Sequence, residues 1–139
     1  MPKISVIEHD VEYKSFFKRR IYNWIKKVIF LHQKQLGELT IILCSDEYLL
    51  EMNKNHLNHD YYTDIITFDL SESEDEISGE LYISLDRVKE NAGHFRTAVE
   101  KELYRVMIHG VLHLLGFKDK TQEEEQLMRN KENEMMKYL

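Results

Sequence analysis

The sequence has 139 residues, 42% hydrophobic and 32% charged, enough apolar material for one folded domain (1–139) and too much for a disordered chain. A formal net charge of −6 excludes a protein that coats nucleic acid by bulk charge alone. No apolar run reaches the roughly 20 residues that span a bilayer, and Met1-Pro2-Lys3-Ile4-Ser5 lacks the pattern of a secretion signal. The single cysteine, Cys44, lies in an apolar run and reads as a small buried side chain. A cytoplasmic, reducing setting is the expectation.

Ile4 and Val6 mark a first strand. Apolar residues then recur at helical spacing from Tyr13 to Gln35 (Phe17, Ile21, Trp24, Ile25, Val28, Ile29), and Gly37 is expected to stop that helix. Glu38 to Cys44 is rich in β-branched residues and predicts a buried strand. Ser45 is a good N-cap, with Asp46 and Glu47 in the first turn, for a helix through about Lys54. Asp64 to Leu70 and Glu80 to Ser84 predict two more strands around an acidic loop, Ser71 to Ser78. Ser84 or Asp86 opens a short helix ending near Gly93. Thr97, with Glu100 three residues on, predicts a capping box for a helix to Leu115. Thr121 and Glu124 do the same for a last helix, with Leu127, Met128 and Met135 on its inner side. The order β-α-β-α-β-β-α-α-α predicts an α+β fold, a small mixed four-stranded sheet covered by about five helices.

Charge is unevenly spread. Tyr13 to Gly37 holds no acid but carries Lys14, Lys18, Arg19, Arg20, Lys26, Lys27 and Lys34. That face suits either a phosphate backbone or solvent.

The segment that carries chemistry is His109-Gly110-Val111-Leu112-His113-Leu114-Leu115-Gly116-Phe117-Lys118-Asp119. Two histidines four apart on a helix stand one turn above the other and offer two imidazole nitrogens to one ion. Gly116 permits a left-handed helix end, after which the chain doubles back and returns Asp119 to the same neighbourhood. Two histidines and a carboxylate make a sound zinc set with a fourth position open. The flanking residues are strongly apolar, so a shared cation relieves the cost of burying both rings. The spacing invites comparison with the metzincin proteases, but Gly110 stands where their glutamate base belongs.

The segment resembles the His-Gly-x-Leu-His-Leu-x-Gly-Tyr-Asp-His signature of the YbeY family, bacterial metal-dependent endoribonucleases of ribosomal RNA maturation. Met52-Asn53, then Asp60 and Thr63-Asp64-Ile65-Ile66-Thr67-Phe68, resemble its Leu-Asn and Pro-Thr-Asp blocks; Gly79-Glu80-Leu81-Tyr82-Ile83-Ser84 resembles its Gly-Asp-Ile-x-Ile-Ser strand. The likeness covers most of the chain. It implies His109 and His113 as the first two ligands of one Zn2+ per chain, with Asp119 where the family has histidine and Lys118 where it has aspartate. His56-Leu57 replaces a Tyr-Arg pair, and Tyr62 replaces the proline. His56 and His59, or Arg105 and the basic residues Lys18, Arg19 and Lys26, are then the candidates for holding RNA.

The implied reaction is hydrolysis of an RNA phosphodiester by metal-activated water during rRNA processing and ribosome biogenesis, on ribosomal RNA or the small subunit. His109, His113 and Glu80 are the candidate catalytic residues, with Glu80 orienting water or supporting a ligand; Glu80 also reads as a strand-end solvent residue. Thr63, Asp64 and Thr67 are expected to line the cleft, and Tyr61 and Tyr62 to stack bases of single-stranded RNA. A ribosome assembly factor with a structural metal and a metallopeptidase-like hydrolase are the alternatives.

Overall fold

The computed structural model describes residues 2–13, 18–57 and 62–139, with backbone alone at 56 and 57. Its elements follow the expected order: β1 (Lys3–Glu8), α1 (Lys18–Leu31), β2 (Gln35–Cys44), α2 (Asp46–Leu57), β3 (Ile65–Asp69), β4 (Glu76–Ser84), α3 (Leu85–His94), α4 (Val99–Leu114) and α5 (Gln122–Met136). The sheet order is β1-β2-β4-β3, with β1, β2 and β4 parallel and β3 antiparallel to β4. No described helix is long and apolar enough to cross a membrane.

Strand alternation divides the side chains between two faces. Leu39, Ile41 and Leu43 of β2 and Ile77, Leu81 and Ile83 of β4 join the main core with Ile21, Trp24, Ile25, Val28 and Ile29 of α1. The other face packs Cys44 and Ile66 against Leu49 of α2. Cys44 is fully buried there, and burial pushes its thiol pKa up to about 12, so it is an inert packing residue.

α4 runs through the middle of the molecule and packs against β3, β4, α3 and α5. It is buried on nearly all sides, from Leu103 to Leu114. The contact with the sheet requires Gly110: a Cβ there would lie 2.7 Å from Ile65 Cδ1 and 2.8 Å from Leu81 Cδ2. Hence the position that carries the protease glutamate here rests on the sheet.

Three sequence expectations are corrected. α1 is stopped not by Gly37 but by Gln33, two residues past its end, whose φ of 64° reverses the chain while Lys34 N–H donates to Ile29 O. Gly37 belongs to β2, at its register shift, where a Cβ would meet Ser78 Oγ at 2.2 Å. Thr97 does not cap α4; its N–H donates to Ala92 O and ends α3, so Ala98 is the N-cap and has no side-chain bond. Leu127 is 56% exposed, while Met128, Glu132 and Met135 form the inner stripe of α5. The Thr121–Glu124 capping box and the Ser45 and Ser84 caps form as expected.

Candidate metal centre

α4 ends in a Schellman turn. Phe117 N–H donates to Leu112 O, Gly116 N–H donates to His113 O, and Gly116 takes φ 105°. The reversal brings Asp119 back over the last turn of the helix. His109 Nε2 and His113 Nε2 are 3.1 Å apart, and Asp119 Oδ2 lies 3.3 Å from the first and 3.2 Å from the second. A tetrahedral ion with zinc–nitrogen bonds of about 2.0–2.1 Å separates its ligand atoms by roughly 3.3–3.4 Å, so the triangle has the size such an ion requires. Side-chain exposures of 23%, 29% and 38% for His109, His113 and Asp119 leave the group open on one side. This is the only group of its kind among the described residues. The set accommodates a divalent cation with one position free.

Negative charge surrounds His109. Its Nδ1 lies 2.6 Å from Glu132 Oε2. Burial alone would lower the pKa of His109, but the Glu132 hydrogen bond and the charges of Glu132, Asp64 and Asp119 outweigh it and leave the pKa raised. Burial raises the pKa of Asp64, partly offset by His109. Burial likewise raises Glu102, against the pull of Arg105.

Two clefts meet at the cluster and share Asp64, His109 and Asp119. One runs beside Thr63, Thr67 and Lys120, so the expected lining residues Thr63, Asp64 and Thr67 are all present. The other passes Phe95, Arg105 and Arg129. Arg105 is held by acceptors: its Nη1 donates to Asn133 Oδ1 at 2.9 Å and lies 3.4 Å from Glu132 Oε1.

Other expected site residues lie elsewhere. Glu80 alternates with Gly79 and Leu81, which face α4, and therefore points from the opposite face of the sheet; its carboxylate accepts from Tyr82 Oη at 3.5 Å. It cannot orient water at the cluster. Lys18, Arg19 and Lys26 are exposed on α1 and line neither cleft. Arg19 borders a groove with Lys27 and Tyr138. Tyr62 donates to Glu47 Oε1 at 2.9 Å. His59 and Tyr61 lie outside the described residues, as does the His56 side chain. Glu132 was not foreseen; its signal is an acid on a helix stripe between Met128 and Met135.

The family model described as Endoribonuclease YbeY matches residues 5–139. An endoribonuclease YbeY of Flavobacterium psychrophilum is 48% identical over 93% of this chain and 91% of the relative. One from Bacteroides thetaiotaomicron is 50% identical over 86% of each. A solution structure of a Thermotoga maritima protein superposes with a TM-score of 0.62 at 30% identity, covering 96% of this chain and 89% of the other.

Proposed function

The chain belongs to the YbeY endoribonuclease family, and on that membership we propose that it hydrolyses RNA phosphodiester bonds at the His109–His113–Asp119 cluster. The observation that carries the reading is the triangle of donor atoms 3.1–3.3 Å apart, open to two clefts. One Zn2+ per chain is the ion we assign to it. A bound divalent ion supplies Lewis acidity, easing deprotonation of water and offsetting charge that develops on the phosphate oxygens.

The chain's own residues do the rest. His109 and His113 would each hold such an ion through a ring nitrogen, and Asp119 through one carboxylate oxygen. Asp64 faces both clefts outside the ligand set, and the water-orienting role considered for Glu80 passes to it. Lys120, Thr63 and Thr67 give the cleft beside β3 donors for a phosphate backbone. The acids around the cluster disfavour phosphate except where a cation neutralises them, which directs the scissile group to the metal. The basic side of α1, with Lys18, Arg19 and Lys26, extends RNA contact away from the cleft. Ribosomal RNA, a single-stranded segment during small-subunit maturation, is the proposed substrate, and the cytoplasm the proposed setting.

The test compares wild-type protein with His113→Ala on a single-stranded rRNA fragment, with bound metal and circular dichroism measured alongside. The reading expects a folded variant that has lost both metal and cleavage. A folded, metal-free variant that still cleaves contradicts it. Cleavage of peptides but not RNA would favour the hydrolase alternative, which Gly110 already disfavours by occupying the sheet contact.

A further inference from the structure

We propose that Glu132 is a positioning residue for this centre: it fixes His109 in the tautomer that leaves Nε2 free for metal, so that α5 sets the affinity of ligands carried by α4. The inference rests on the metal reading of the cluster given above.

Glu132 sits on the inner stripe of α5 between Met128 and Met135, its side chain only 7% exposed. An unpaired carboxylate at such a position is costly, so its partners explain its presence. Both oxygens are engaged by α4. Oε2 lies 2.6 Å from His109 Nδ1, and Oε1 lies 3.4 Å from Nη1 of Arg105, one helical turn earlier. Asn133 Oδ1 accepts from the same guanidinium nitrogen at 2.9 Å. The carboxylate is thus clamped between two α4 side chains on one face of the helix.

An ionised carboxylate only accepts, so the proton in the 2.6 Å contact belongs to His109 Nδ1. A neutral imidazole has one N–H, so Nε2 is left with its lone pair. Nε2 is the atom 3.1 Å from His113 Nε2 and 3.3 Å from Asp119 Oδ2. The same contact holds the ring plane and raises the electron density of the donor nitrogen. A brace for Arg105 alone would require neither the short bond nor this tautomer.

The test needs no RNA. Long-range nitrogen–proton spectra of the metal-free wild-type protein should show His109 protonated at Nδ1. Competition of Zn2+ against a chromophoric chelator should show Glu132→Ala binding about 10–100-fold more weakly than wild type. Glu132→Gln should lose less, because its carboxamide oxygen still accepts from Nδ1–H. The wild-type spectrum and the Gln variant decide the matter should the Ala variant fail to fold. A neutral His109 protonated at Nε2, or unchanged Zn2+ affinity in a folded variant, overturns the proposal. A wild-type protein that binds no Zn2+ overturns this inference and the metal reading together. One that binds Zn2+ under Glu132 control yet cleaves no RNA refutes the activity and leaves the role of Glu132 standing.

Discussion

Asp119 is the residue on which the chemistry of the site turns. It is the most exposed of the three donors and reaches the histidines only because the chain reverses at Gly116. The family resemblance puts histidine at its position, so the cluster should tolerate that exchange. We expect Asp119→His to retain one ion per chain and its cleavage activity, while Asp119→Ala loses stoichiometric metal by elemental analysis. A fully loaded Ala variant would remove Asp119 from the ligand set. Much of this was legible beforehand, because both histidines, the glycine and the aspartate fall in one continuous segment. Glu132 was not, because it lies 23 residues from His109 on a separate helix and stands where periodicity leads one to expect an apolar side chain. The alternation of Ile77, Leu81 and Ile83 did contain the warning that Glu80 faces away from α4.

At the scale of elements, the ends of helices position the site. The Schellman turn after α4 and the capping box of α5 lie on either side of Asp119 and fix the short segment that carries it. Gly116→Ala would force a Cβ into a φ of 105° at a cost of about 1–2 kcal/mol, although the space around it is open. Urea denaturation should show that loss, with weaker metal binding as the turn shifts Asp119. Gly110→Ala should differ: its backbone is helical, and the strain comes from overlap with Ile65 and Leu81. We expect a loss of about 1–3 kcal/mol, as for overpacked cores. Equal stability of either variant with wild type would contradict these assignments. The sequence was clearest where one residue type has one use, as with Thr121. It misled where two elements compete for one residue, as when Thr97 ends α3 instead of starting α4.

Across the whole molecule, the acids are arranged around the site in a way that net charge conceals. Glu102 of α4, Glu132 of α5 and Asp64, just before β3, converge on His109 and Arg105. Burial raises the Glu102 pKa above its ordinary 4.5, so the folded state holds that proton more tightly than the unfolded chain does. The stability linked to it is fully present below 4.5 and is lost as pH rises through the folded pKa. Glu102→Gln should therefore gain Tm relative to wild type at neutral pH, and the difference should shrink as pH falls through the raised folded pKa and be gone by about 4.5. A constant difference across that range would contradict the burial argument.

The proposed cleavage of RNA depends on one divalent ion at His109, His113 and Asp119. Its most direct test strips the protein with a chelator and restores Zn2+ in steps, following the cleavage rate of a single-stranded rRNA fragment against ions bound per chain. The rate should rise with occupancy and level off at one ion per chain. Undiminished cleavage by the stripped protein, or full occupancy without cleavage, would contradict it.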